Sequence, residues 1–230
     1  MSEQIKSMFA GLASRYDRTN TVLSLGIHKL WRRKVVRLSD AKAGMSILDC
    51  ATGTGDLALE FKKAVGQSGA VIGTDFCAEM LDFAPAKAQQ QGLEVQFELA
   101  DAMNLQYADN TYDIASISFG IRNVDSPSQC LKEMARVVRP GGRVMILEFG
   151  QPEGMFRYLY SLYRAVFMPM LGWIVTGKNK DAYNYLLDTT AVFPSGKKFI
   201  EMMETSGAFT ELRYVPFTFG IAYLYIGKVK

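Results

Sequence analysis

The chain has 230 residues, 49% of them hydrophobic, 21% charged and 12% aromatic. Those proportions exclude a disordered segment, and the length fits one domain carrying an insertion. A net charge of +3 is too mild to argue for nucleic acid, and a single His with Cys50, Cys77 and Cys130 far apart argues against zinc or a disulfide framework and for a reducing compartment.

Residues 1–43 read as amphipathic helices broken around Gly26, and Met1 to Lys6 lack the apolar core of a signal peptide. Residues 44–150 alternate apolar runs with helical patterns. The runs are 46–50, 70–75, 95–99, 112–118 and 143–148; helices are predicted at 56–65, 77–91 and 127–138, and Pro140-Gly141-Gly142 reads as a turn before the fifth run. That alternation predicts an α/β fold, a parallel sheet with helices on both faces. Residues 151–193 are rich in aromatics and break the pattern, which reads as a helical insertion. Within it the uncharged stretch from Ala165 to Gly177 is shorter than the roughly 20 residues needed to cross a bilayer. The last unit, 194–230, holds a predicted helix at 195–206 and strands at 209–215 and 219–227.

The first strand runs into Asp49-Cys50-Ala51-Thr52-Gly53-Thr54-Gly55-Asp56, and a helix follows. Glycines here let a ligand approach the backbone, and the helix N-terminus offers free N–H groups. As a bare string, Gly53-x-Gly55-x-x-Ala58 with Asp75 downstream also matches a dinucleotide fingerprint. Charge separates two ligands. Asp49 and Asp56 would repel a pyrophosphate, whereas the sulfonium and ammonium of S-adenosylmethionine are attracted to carboxylates. Asp75 at the end of the second strand can take both ribose hydroxyls, and Asp101-Ala102 after the third can receive the adenine amino group. The order Asp49, Gly53, Gly55, Asp75, Asp101 favours S-adenosylmethionine over a nicotinamide cofactor.

The segment from Leu48 to Asp56 resembles the first motif of class I methyltransferases. Ser24 to Arg33, the stretch Ser118-Phe119-Gly120-Ile121-Arg122-Asn123-Val124, and Arg139 to Gly142 followed by Leu147-Glu148-Phe149 are similar to the ubiquinone/menaquinone biosynthesis C-methyltransferases. Ala13-Ser14-x-Tyr16-Asp17, Tyr183-x-Tyr185-Leu186 and Phe193-Pro194 fit as well. The resemblance implies a Rossmann-like sheet of seven strands, mostly parallel with the last antiparallel, flanked by helices. It implies C-methylation of a polyprenylated quinol with S-adenosylmethionine, and cofactor contacts at Thr54, Asp75, Asp101, Ala102 and Ser118. Where that family often ends in a strand carrying His and Arg, this chain has Phe219-Gly220-Ile221-Ala222-Tyr223-Leu224-Tyr225-Ile226-Gly227. No metal is implied.

Ring carbon becomes a good nucleophile when a hydroquinone loses an O–H proton, so the quinol rather than the quinone is the expected acceptor. Arg122 can stabilise the phenolate, Asn123 can orient a water that takes the proton, and Tyr16 can supply a hydroxyl from the lid side. His28, the only His, reads either as a base or, within its basic helix, as a surface or capping residue. The basic run His28-Lys29-x-x-Arg32-Arg33-Lys34 is either a solvated face or a contact with anionic lipid. Phe156, Tyr158, Tyr160, Tyr163, Phe167 and Trp173 are expected to wall an isoprenoid-tail channel. The substrate expectation is demethylmenaquinol, with the ubiquinone-pathway benzoquinol as the alternative. Nucleic acid is not expected as a partner. The expected location is cytoplasmic, with a peripheral place at the membrane's inner face, and oligomeric state is open between monomer and homodimer.

Overall fold

The apolar runs become strands and the segments between them helices. The computed structural model describes residues 3–152, 154, 155, 157, 158, 161 and 181–230. Three helices lead in: α1 (Glu3–Leu12), α2 (Tyr16–Leu23) and α3 (Ile27–Leu38), with Gly26 at φ 77° making the break between the last two. The strands are β1 (Ser46–Cys50), β2 (Ala70–Asp75), β3 (Gln96–Leu99), β4 (Tyr112–Ser118), β5 (Val138–Phe149), β6 (Phe209–Phe217) and β7 (Ala222–Val229). Between and after them come α4 (Asp56–Val65), α5 (Ala78–Leu81), α6 (Ala84–Gln90), α7 (Pro127–Val137), α8 (Asp181–Val192) and α9 (Lys197–Thr205).

The strands form one sheet in the order β3-β2-β1-β4-β5-β7-β6. Pairing is parallel from β3 through β5, and β7 runs antiparallel between β5 and β6. Successive side chains point to opposite faces, so both faces are covered. Ile47, Ile114, Met145 and Leu147 pack under α3 and α4 with Trp31, Val35, Leu57 and Phe61. Leu48, Ala115, Ile117 and Ile146 pack on the other face with Leu131 and Met134 of α7 and Phe199 of α9. Fully burying side chains such as Phe61 and Phe199 contributes roughly 1.5–3 kcal/mol each. The order reverses between β1 and β4, which opens a crevice at the carboxyl ends of these strands.

Three expectations are corrected. The predicted helix 77–91 is two helices, because Pro85 sits in the first turn of α6 and cannot continue α5. Pro140-Gly141-Gly142 does not precede β5 but lies inside it. Tyr112 pairs with Val138 and Ile114 next with Arg143, so the residues between bulge out, where a proline and a glycine at φ 80° are tolerated. The last strand starts at Ala222, since Thr218–Gly220 form a 3-10 turn with Phe219 at φ 56°. The aromatic positions Phe156, Tyr160, Tyr163, Phe167 and Trp173 lie outside the described residues; Tyr158 is exposed.

Candidate active site

Two adjacent strand ends carry unusual backbone. Ala51, just after β1, has φ 48° and Phe119, just after β4, has φ 58°. Left-handed conformations in non-glycine residues cost about 1–3 kcal/mol and cluster at functional sites. The two turns abut, since a Cβ on Gly120 would lie 2.5 Å from the Ala51 Cβ. Gly55 caps α4 at φ 86°, and a Cβ there would meet the Phe97 ring at 3.0 Å. Here glycine serves both the backbone and the space.

The loop amides decide which ligand fits. Gly53 N–H donates to Asp75 Oδ2 at 2.7 Å, Thr52 N–H to the Thr74 carbonyl and Gly55 N–H to the Thr52 carbonyl. Three donors that would greet a phosphate are thereby used inside the protein. Asp75 closes β2 and also accepts from Cys77 N–H at 2.9 Å, which leaves lone pairs on both oxygens for a diol. Burial raises its pKa, against the lowering effect of those backbone bonds. Asp49 lies beneath the loop, taking hydrogen bonds from Ser116 Oγ at 2.6 Å and Thr52 Oγ1 at 2.7 Å, and burial pushes its carboxyl up to about 6. Both acids would be relieved by a cation and opposed by a phosphate. The Ser118 hydroxyl at the end of β4 is buried with no hydrogen-bond partner among the described residues. A polar ligand that brings cationic charge, a diol and a hydrogen-bonding head suits this crevice better than a pyrophosphate placed against Asp49 and Asp75.

Asp56 does not repel a ligand as the sequence suggested. It is paired with Arg32 at 2.9 Å and Lys87 at 2.7 Å, so its charge is compensated. Lys87 also reaches Asp17 at 2.5 Å and the Thr54 hydroxyl at 2.9 Å, while Thr54 donates to Asp17 Oδ1 at 2.6 Å. The Thr54 side chain thus ties α2 to the glycine loop. Tyr16 begins α2 and lies against that loop, with its Cε1 3.9 Å from where a Gly53 Cβ would be. Burial raises its phenol pKa, while Arg32, the Asn20 side chain and Arg122 pull it down. Asp101 accepts from Met103 N–H at 2.9 Å just past β3, and Ala102 is buried beside it.

His28 is not a surface residue. It is buried in α3, bonded to Ser24 Oγ at 2.5 Å, and burial lowers its pKa to about 4. The basic run is divided too: Arg32 is buried on Asp56, Arg33 reaches Glu60 at 3.6 Å, and Lys34 stacks over Phe217 at 4.5 Å.

The residues after β4 form a second polar group. The Arg122 guanidinium binds Glu148 Oε1 at 2.7 Å and the Phe119 carbonyl at 2.7 Å, with side chains only 6% and 1% exposed for Arg122 and Glu148. Glu148 also accepts from Phe149 N–H at 2.8 Å. Among the described residues Arg122 Nε is buried without a hydrogen-bond partner. Asn123 Nδ2 donates to the Phe119 carbonyl at 3.4 Å, and Asn123 Oδ1 accepts from the Tyr185 hydroxyl of α8 at 3.0 Å. The structure brings Arg122 and Asn123 together, as the sequence suggested. It adds Glu148 and Tyr185, to which the sequence alone assigns no role. Glu148 had a signal, a lone acid ending the apolar run Val144-Met145-Ile146-Leu147. Tyr185 had none beyond its motif, because its partner is 62 residues away.

Comparison with known proteins gives a consistent picture. The chain matches the ubiE/COQ5 methyltransferase family over residues 1–229. It is 57% identical to "Ubiquinone/menaquinone biosynthesis C-methyltransferase UbiE" of Bdellovibrio bacteriovorus, across 99% of this chain and 97% of that one. It is 42% identical to "Demethylmenaquinone methyltransferase" of Thermus thermophilus, across 96% and 99%. Among solved structures, a SAM-dependent methyltransferase of Aquifex aeolicus aligns with TM-score 0.64 at 21% identity, covering 86% of this chain and 89% of that one. Another from Thermotoga maritima aligns with TM-score 0.68 at 18% identity, covering 97% and 99%. These two show the fold.

Proposed function

The chain belongs to the ubiE/COQ5 methyltransferase family, and from that premise we propose that it transfers a methyl group from S-adenosylmethionine to a ring carbon of a polyprenylated quinol. Demethylmenaquinol is the acceptor we favour, in keeping with the names of relatives 37–42% identical. The benzoquinol of the ubiquinone pathway is the second reading, because the name of the 57% identical relative covers both. The observation that carries the proposal is the pairing of an acid-lined glycine crevice, its Thr52, Gly53 and Gly55 amides bonded within the protein, with the buried Arg122–Glu148 and Asn123–Tyr185 contacts beside it.

S-adenosylmethionine, when bound, supplies a methyl on a sulfonium that leaves as a neutral thioether. The remaining work belongs to the chain. Asp75 would take the ribose hydroxyls and Asp101 and Ala102 would hold the adenine, while Ser118 Oγ, which has no hydrogen-bond partner among the described residues, would gain one from the ligand. Asp49, Gly53, Thr54 and Gly55 shape the loop, with Asp49 placing negative charge beneath the ligand's cationic end. Alignment of donor and acceptor supplies about 7–11 kcal/mol of the barrier reduction in well-oriented reactions. Arg122 Nε is the donor left over for a developing phenolate. Asn123, through the Nδ2 hydrogen that Phe119 O does not take, orients the water that takes the proton, and Tyr16 closes the site from the N-terminal helices of residues 1–43, which act as its lid. Arg122 itself is not the base, as an arginine stays protonated up to pH values above about 12.

Among the described residues no helix is long and apolar enough to cross a membrane. A peripheral contact at the cytoplasmic face would draw on Lys29 and Arg33 rather than the whole basic run, since Arg32 is turned inward. The test is methyl transfer from radiolabelled S-adenosylmethionine to demethylmenaquinol and demethylated benzoquinol, run side by side under reducing conditions. Transfer to the naphthoquinol at the higher kcat/KM supports the favoured acceptor. Preference for the benzoquinol selects the second, and transfer to neither overturns the proposal.

A further inference from the structure

The Asn123–Tyr185 contact fixes the direction of a proton. The amide of Asn123 has one nitrogen and one oxygen, and a carbonyl can only accept. Phe119 O therefore holds the Nδ2 end of the amide, which leaves Oδ1 turned to Tyr185. Oδ1 has no hydrogen to give, so the Tyr185 hydroxyl must be the donor across the 3.0 Å contact. Asn123 is buried, so a lost bond at Oδ1 is not made good by water. The phenol stays protonated at neutral pH, because burial raises its pKa against the lowering effect of Arg122. With its one proton committed to Asn123, the Tyr185 oxygen offers only lone pairs to anything else.

We propose that Tyr185, set by Asn123, selects the redox state of the acceptor by presenting a hydrogen-bond acceptor that suits a hydroquinone O–H and opposes a quinone C=O. This rests on the quinol reading given above. A hydroquinone hydroxyl donates to the Tyr185 oxygen and completes the chain quinol to Tyr185 to Asn123. A quinone carbonyl places acceptor against acceptor. Rotating the phenolic proton toward it would strand Asn123 Oδ1 against the hydroxyl lone pairs. Only the reduced ring is a carbon nucleophile, so the discrimination keeps an inert oxidised ring out of the acceptor site. Tyr185 is on α8, beyond the sheet, and its contact with the turn after β4 is what makes this selection part of the assembled site. An unmade hydrogen bond in a buried site corresponds to roughly a tenfold to hundredfold difference in affinity.

The experiment is anaerobic equilibrium binding of 1,4-naphthohydroquinone and 1,4-naphthoquinone to the full chain with S-adenosylhomocysteine present, so that no methyl is transferred. The wild type should favour the hydroquinone at least about tenfold. Tyr185→Phe should bring the ratio close to one, mainly by weakening hydroquinone binding. Asn123→Leu keeps the tyrosine but releases its proton, so it should shrink the ratio by strengthening quinone binding. Thermal melts with S-adenosylhomocysteine report whether each variant is folded, and Asn123→Leu supplies the test if Tyr185→Phe is not. A wild type with no preference, or a Tyr185→Phe variant that keeps the wild-type ratio, overturns the proposal. A wild type that binds neither probe and methylates neither quinol overturns the quinol reading beneath it.

Discussion

Replacing Glu148 by Gln removes a charge while keeping nearly the same shape. Glu148 and Arg122 are 1% and 6% exposed at their side chains and 2.7 Å apart, so solvent does little to screen either. Taking one partner from such a pair leaves the other buried and uncompensated, which costs about 3–5 kcal/mol. The low end applies here, because the Gln amide oxygen can still accept from Arg122 and from Phe149 N–H. For a chain of this length each kcal/mol moves Tm by about 2–4 °C, so a fall of roughly 6–12 °C is expected. Urea denaturation at pH 7 gives the free energy, and a thermal melt gives the shift. The double variant Arg122→Met with Glu148→Gln removes both charges. It should recover much of the lost stability while transferring no methyl, because Arg122 has gone. A Glu148→Gln protein within about 1 kcal/mol of wild type would refute the reasoning and show that water or a displaced Arg122 relieves the charge.

Other substitutions probe the crevice and the helices over it. Asp75→Asn removes the charge that receives Gly53 N–H and Cys77 N–H, and should weaken S-adenosylmethionine binding roughly tenfold to a hundredfold by calorimetry; a change of less than about threefold would place the ribose elsewhere. Gly55→Ala puts a Cβ 3.0 Å from the Phe97 ring at φ 86°, so stability should fall by about 1–2 kcal/mol in urea and cofactor affinity with it. His28 is held neutral, its pKa lowered to about 4 from 6.5, so the unfolded chain binds a proton that the folded one refuses. Stability from this group is complete above pH 6.5 and declines by about 1.4 kcal/mol per unit as pH falls toward 4. His28→Gln should flatten that limb of a stability-versus-pH curve; an unchanged slope would show that His28 does not titrate as described.

Much of the fold was legible because its signals are local. The run from Asp56 to Val65 has the helical period and ends at Gly66, and the structure begins and ends α4 there. The strand runs are short, apolar and bounded by turns, and they fall in register in the sheet. The misreadings share a cause, a residue whose meaning depends on a partner strand or helix. Pro140 and Gly141 signal a turn in isolation, and only pairing with β4 turns them into a bulge. Asp56 looked like a free charge by the loop until Arg32 and Lys87 arrived from α3 and α6. His28 looked exposed because its neighbours in sequence are basic, yet the helix turns it inward. The candidate site divides the same way. Gly53, Gly55, Asp75 and Asp101 follow the order of strand ends. The Arg122–Glu148 pair and the Tyr185 contact join β4 to β5 and α8 across long sequence separations.

The central claim concerns where the methyl goes, and it is tested by the product's structure. Demethylmenaquinol is incubated with the full chain and S-adenosylmethionine carrying a deuterated methyl group, under reducing conditions, and the extracted quinone is examined by NMR and mass spectrometry. The label should appear on the ring carbon, with both oxygens free to reoxidise to the quinone, and none should be incorporated when the acceptor is supplied oxidised and the reductant is left out. Label found on oxygen, or equal incorporation from the oxidised ring, would contradict carbon methylation of the quinol.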